Sequence, residues 1–164
     1  MTAMTAKRAE GIDRRRRALL AAGAAGMGLG ALVLARPAAA TPEELAAAIK
    51  NFTGGAPLQN ARVALEVAQL VDNGNAVPLT VRVDSPMTAA DHVAAIAIFN
   101  ERNPETGVAV FTLGPRAGKA EVSTRIRLAT SQKLTAIARM GDGSFCAQTA
   151  DVIVTLAACI EGDA

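Results

Sequence analysis

The chain has no tryptophan, no tyrosine, one histidine and two cysteines in 164 residues, and aromatic residues make up only 2% of it. Each shortage excludes something. Without aromatic side chains there is no stacking platform for single-stranded nucleic acid. One histidine and two distant cysteines form no metal-ligand pattern of recognised spacing, and no cofactor motif is present. No Gly-x-Ser-x-Gly elbow and no phosphate-binding glycine loop occur. A core must therefore be built from Val, Leu, Ile and Ala, and the chemistry must reside in very few residues.

Positive charge is also scarce over most of the chain. Of the 17 Lys and Arg residues, seven (Lys7, Arg8, Arg14 to Arg17 and Arg36) stand in the first 40 positions, beside two of the 15 acids. Residues 41–164 thus hold ten basic and thirteen acidic residues, a formal −3. The basic balance belongs to a leader and points to no nucleic-acid partner. Residues 14–40 read RRRRALLAAGAAGMGLGALVLARPAAA. A charged region, an apolar Gly- and Ala-rich stretch from Ala18 to Ala35, and the small-residue site Ala38-Ala39-Ala40 follow in the order of an export signal. Arg16-Arg17-Ala18-Leu19-Leu20 resembles the twin-arginine pattern, whose cargo crosses folded. The expectation is a leader over 1–40, cleavage after Ala40, and a mature periplasmic chain starting at Thr41. An uncleaved N-terminal anchor is the alternative.

Thr41-Pro42-Glu43-Glu44 starts a short helix, with Thr as N-cap, Pro at the first position and acids in the first turn; Thr53-Gly54-Gly55 ends it. From there the period is two. Strand candidates are Arg62 to Val71; the stretch through Leu79, Val81 and Val83; HVAAIAIFNE; VAVFTLG; Val122 to Leu128; Lys133 to Met140; and Phe145 to Ala157. In the last, Val152, Val154 and Leu156 share a face. Asp72-Asn73-Gly74-Asn75 and Gly141-Asp142-Gly143 read as hairpin turns. Seven short strands with one wet face, joined by connections too short for crossovers, indicate an all-β fold. The expected architecture is an immunoglobulin-like antiparallel β-sandwich over 41–156, with a short N-terminal helix and a C-terminal arm over 157–164.

Candidate chemical residues are few. His92 follows Asp91 at the start of a strand, where neighbours point to opposite faces, so the two do not form a catalytic pair and His92 reads as a surface or edge residue. Leu113 to Lys119 is Gly-rich and basic but lacks the closing Ser/Thr of a phosphate loop, and reads as a plain turn. Cys146 begins the last strand and Cys159 lies beyond its end, roughly 40 Å apart if extended. A disulfide needs Cα atoms within about 7 Å, so an intramolecular bridge is disfavoured. Cys146 reads as a small strand residue. Cys159 is either an unpaired cysteine ending a strand or an exposed thiol that visits a partner's pocket. Glu161 and Asp163 should raise its pKa rather than activate it, so a partner would have to do so.

The stretches VPLTVRVDSPMTAADHV, TLGPRAGKAEVSTRIRLATSQKLTAIARMGDGSF and ADVIVTLAAC resemble the SoxY family, the sulfur-carrying subunits of bacterial thiosulfate oxidation, across nearly all of the mature chain. In that family the arm ends Gly-Gly-Cys-Gly-Gly, and its cysteine holds the substrate sulfur covalently while partner enzymes act on it. The resemblance implies that role for Cys159. Here the arm is Ala157-Ala158-Cys159-Ile160-Glu161, similar to the SoxY-related group with an AACIE ending. Alanine gives up the positive φ open to glycine, and Ile160 and Glu161 add bulk and charge to the arm. The resemblance also implies a SoxZ-like partner subunit in a heterodimer, sulfur-oxidising partner enzymes, no cofactor and no catalytic residue of the chain's own. A different reading of the same residues is a binding or assembly module whose terminal cysteine makes an intermolecular disulfide.

Overall fold

The structure is a computed structural model, and it describes residues 39–158. The expected leader up to Pro37, and Cys159, Ile160 and Glu161 of the expected arm, lie outside the described residues. The helix, α1, spans Pro42–Thr53. Thr41 caps it as expected: its Oγ1 accepts the Glu44 N–H at 3.2 Å, and its own N–H donates to Glu44 Oε2 at 2.8 Å. This reciprocal pair satisfies two backbone donors that a helix start leaves open. Gly54, at φ +64°, ends the helix in the left-handed conformation that glycine adopts without strain.

Nine strands follow: β1 Leu58–Gln59, β2 Val63–Val67, β3 Leu70–Val71, β4 Val77–Val83, β5 Val93–Asn100, β6 Gly107–Thr112, β7 Glu121–Ile126, β8 Gln132–Met140 and β9 Phe145–Val154. They form two sheets. The larger has the order β1-β9-β8-β5-β6, with β3 also on β9, and the smaller is β2-β4-β7. The core between them is aliphatic, built on Val77, Val81, Val93, Ile96, Ile98, Leu128, Leu134 and their neighbours. The alternation read in β4 is present: Leu79, Val81 and Val83 are buried while Pro78 and Arg82 are exposed. The sandwich architecture is the one expected.

Three details differ from the expectation, each for a physical reason. Arg62 to Val71 is not one strand. β2 pairs antiparallel with β4, Leu65 opposite Val81, and after Ala68-Gln69 the chain crosses to the other sheet, where β3 runs parallel to β9 with Leu70 beside Ile153. A residue that switches sheets with unchanged parity keeps its inward face, so alternation carries no sign of the change. The last strand stops at Val154 rather than Ala157. Its antiparallel partner β8 is exhausted at the Gln132–Val152 pair, and the chain bends, leaving Leu156 exposed. Finally, the larger sheet is wet on only part of its outer face, where Lys133, Arg139, Thr149 and Asp151 are exposed. Leu45, Ala48, Ile49 and Phe52, spaced as one face of α1, pack on Ala97, Phe99, Ile137 and Phe145. β5 is consequently buried on both faces over most of its length.

The smaller sheet is wet on its outer face, where Arg82 is paired with Glu66 and Glu121 on the flanking strands and Thr80 shares a hydrogen bond with Ser123. Gly141-Asp142-Gly143 does turn β8 into β9, with Gly143 at φ +87°. There the Ser144 hydroxyl and N–H hold the Asp142 carboxyl below its usual pKa. That contribution is full above the ordinary aspartate pKa and is lost as pH falls through the lowered value.

Phe52 meets Phe99 and Phe145 edge-on, with ring centroids 6.0 Å and 5.9 Å away. Three of the four phenylalanines thus hold α1 to the sheet. Phe52→Ala should cost about 2–3 kcal/mol, somewhat less than a fully buried phenylalanine. It should shift the urea midpoint with the slope unchanged. A loss below about 0.5 kcal/mol would show that the helix contributes little to the fold.

Candidate functional site

The candidate site is the root of the C-terminal arm, built where β9 runs out. Thr155 donates its N–H to the Val71 carbonyl at 3.0 Å, and its hydroxyl to the Asp72 carbonyl at 3.2 Å. The Gly74 N–H donates to the Leu156 carbonyl at 2.9 Å, the Leu128 N–H to the Gly74 carbonyl at 2.8 Å, and the Ala158 N–H to the Leu128 carbonyl at 3.2 Å. Three segments distant in sequence (71–74, 128 and 155–158) are thereby joined by backbone hydrogen bonds. Ala157 is exposed, whereas Ala158 is 2% exposed. The chain is therefore held to the body up to Ala158, one residue short of Cys159.

Asn73-Gly74 is not the hairpin turn that its sequence suggests. β3 pairs with β9, not with β4, and Gly74 is absent from the positive-φ glycines. Its lack of a side chain serves close approach instead. A Cβ there would lie 2.4 Å from the Leu128 carbonyl oxygen, 3.0 Å from Ala158 N and 3.1 Å from Val154 Cγ1. Asn73 shapes the loop locally by accepting the Asn75 N–H at 2.9 Å through Oδ1.

Behind the root lies a polar network that sequence reading missed. Asn103 Oδ1 accepts the Ala129 N–H at 2.9 Å and Gln132 Nε2 at 2.7 Å, and Asn103 Nδ2 donates to the Arg127 carbonyl at 2.7 Å. Asn100, 2% exposed, accepts the Asn103 N–H and donates to the Glu105 carbonyl. The network fixes the backbone on both sides of Leu128, whose carbonyl holds Ala158. A buried amide closing the otherwise apolar β5 was the available signal, because a buried polar side chain requires partners.

The remaining candidates are placed as follows. Cys146 is a free thiol, 2% exposed, in the main core, with Ala138 opposite it on β8 and Gln59 on β1. Eight residues of extended β9 separate it from Val154 at the arm root, about 26 Å. This geometry agrees with the reading of Cys146 as a small strand residue and disfavours a bridge to the arm. Asp91 receives two hydrogen bonds from Arg62 Nη2, at 3.0 and 2.9 Å. That contact is the main cause of a raised Arg62 pKa. His92 does not join the pair: its ring packs over Gly141, and its buried Nδ1 has no hydrogen-bond partner. Leu113 to Lys119 contains a single 3₁₀ turn, Pro115–Ala117, with Arg116 and Lys119 exposed. Among the described residues no group of three metal-ligating side chains occurs, and no helix is long and apolar enough to cross a membrane.

A family model described as "Sulfur oxidation protein SoxY" matches residues 49–159, so the match runs to Cys159. No curated protein matches the chain. Among solved structures, the sulfur carrier protein SoxY from Chlorobium limicola f thiosulfatophilum is similar at 30% identity and a TM-score of 0.60, covering 71% of this chain and all of that one. The superoxide reductase (neelaredoxin) of Ignicoccus hospitalis is similar at 14% identity and a TM-score of 0.51, over 71% of this chain and 95% of that one. At that identity the likeness is one of fold alone.

The burial of Cys146 gives a direct expectation. In a Cys159→Ser protein, alkylating reagents should label no thiol in the native state and one after unfolding, read by intact mass. Rapid labelling of the folded variant would show that Cys146 is accessible and contradict its place in the core.

Proposed function

The chain belongs to the SoxY family of sulfur oxidation proteins, and on that premise we propose that it is a covalent sulfur carrier whose attachment point is the Cys159 thiol. The observation that carries the reading is that the family match extends through the arm to Cys159. The carrier role stated for the Chlorobium protein, similar over its whole length, supports it. So does the chemistry at the root. The bonds that hold Thr155 to Ala158 come from backbone groups and one threonine hydroxyl, none of them a general base at neutral pH. Activation of the thiol then falls to partner enzymes, which is the division of labour of a carrier rather than of an enzyme.

Thiosulfate is the proposed cargo. Joining its outer sulfur to the thiol forms an S–S bond and releases the thiol proton and two electrons, which pass to an oxidising partner enzyme. The sulfur then stays on Cys159 through later steps. Pairing with a SoxZ-like subunit and a periplasmic location belong to the same reading. The location draws support from the start of α1: Thr41, the first residue after the expected cleavage, already closes the capping box without help from upstream. Once cleaved there, the Thr41 nitrogen is an α-amino group beside the Glu44 carboxylate.

Two measurements test this. Incubation with thiosulfate and the oxidising partners should add one S2O3 unit to the tryptic peptide that contains Cys159, and Cys159→Ser should abolish the adduct. An unmodified peptide under turnover, with a dimer band on non-reducing electrophoresis that Cys159→Ser removes, would favour the assembly-module reading instead. Intact mass of the exported protein should correspond to a chain beginning at Thr41. A mass retaining residues 1–40 would overturn the cleavage.

A further inference from the structure

The arm was expected to move from Ala157 onward, yet the chain is pinned one residue later, and the two alanines of the AACIE ending differ in their surroundings. Ala157 is exposed; Ala158 is almost wholly buried, with its N–H on the Leu128 carbonyl. Leu128 is fully buried and lies between Gly74 and Ala158 in a relay of backbone bonds, Ala158 N–H to Leu128 carbonyl and Leu128 N–H to Gly74 carbonyl. A second bond, from the Gly74 N–H to the Leu156 carbonyl, closes the ring. The close approach at Gly74 makes the ring possible. A side chain there would meet backbone atoms of both Leu128 and Ala158, which cannot give way as the end of a flexible side chain can.

We propose that Gly74 and Ala158 are positioning residues for the carrier thiol: together with Leu128 they form a clip that fixes the chain up to the residue before Cys159. Consecutive Cα atoms are about 3.8 Å apart, so the thiol-bearing residue starts within that distance of a buried, hydrogen-bonded one. The clip therefore sets the point from which a partner meets the thiol. The clip also gives Ala158 a reason to be alanine. Its methyl belongs to a buried residue, and glycine there would remove that packing and add backbone freedom. The effect on partners rests on the carrier reading; the clip does not.

The test uses the whole mature chain in three forms: unsubstituted, Gly74→Ala and Ala158→Gly. Hydrogen exchange read at the C-terminal peptide should show a protected Ala158 amide in the unsubstituted chain. It should exchange on the order of tenfold faster in Gly74→Ala, and by a smaller factor in Ala158→Gly, with β5 and β8 unchanged. Alkylation of Cys159 by a small reagent and by a bulky one gives the second readout. Their rate ratio should shift toward the bulky reagent by about threefold in Gly74→Ala, because Ala158 beside the thiol is then no longer held to Leu128. A purely structural role would raise exchange in β5 and β8 as well and leave the ratio unmoved. If Gly74→Ala does not fold, Ala158→Gly decides the question alone. An unprotected Ala158 amide in the unsubstituted chain, or an equal ratio in every folded form, would overturn the clip. Expected exchange and ratio without any sulfur adduct on Cys159 would leave the clip in place and remove the carrier reading.

Discussion

A ten-residue strand must satisfy backbone donors and acceptors along both edges, and β9 does so with three different partners. β8 covers one edge as far as Val152, while the two-residue strands β1 and β3 cover parts of the other. No single strand could do the work of β1 and β3, because the chain between them, β2, belongs to the opposite sheet. The sandwich is held together at this point by chain crossing as well as by side-chain packing. Where β8 runs out, the Ser131 hydroxyl accepts the Val154 N–H, and on the other edge the carbonyls of Val71 and Asp72 continue β3, followed by Gly74 and Leu128. The arm root is thus a continuation of the edge problem of β9, solved with loop backbone once strands are exhausted.

The two faces of the larger sheet are finished differently, and the aromatic shortage explains how. With four phenylalanines in the chain, the core between the sheets is packed from aliphatic residues, while Phe52, Phe99 and Phe145 gather under α1. The helix covers the outer face of β5 and of β8 at Ile137, which makes the middle of the sheet a firm support. The polar network of Asn100, Asn103 and Gln132 transmits that support to the loop around Leu128. Its amides bond mainly to backbone groups, so they fix the path of the chain.

How much of this could be read in advance depends on the range of the interaction. Local chemistry was fully legible: Thr41 and Glu44 announce the capping box, Gly54 the helix end, Gly141 to Gly143 the turn, and Leu79, Val81 and Val83 the buried face of β4. The crossing at Ala68-Gln69 was not, because Val71 keeps the parity of Leu65. Gly74 was read as a turn residue because Asn-Gly has that meaning locally; its contacts with Leu128 and Ala158 come from segments more than 50 positions away. For the candidate site, the resemblance pointed to Cys159 and the alternation to the strand before it. The unequal surroundings of Ala157 and Ala158 depend on Leu128, which nothing in their own neighbourhood signals.

The bond between Val71 and the Thr155 hydroxyl spans 84 positions, just over half the chain. Contacts of such sequence separation form late, since a long loop must close before they contribute. β9 is also the last of the strands among the described residues to be synthesised, so β1 and β3 wait for their partner. Fold and arm root therefore depend on the same late event, the docking of β9. A molecule truncated before Phe145 lacks both, and is left with a sheet whose edges are open.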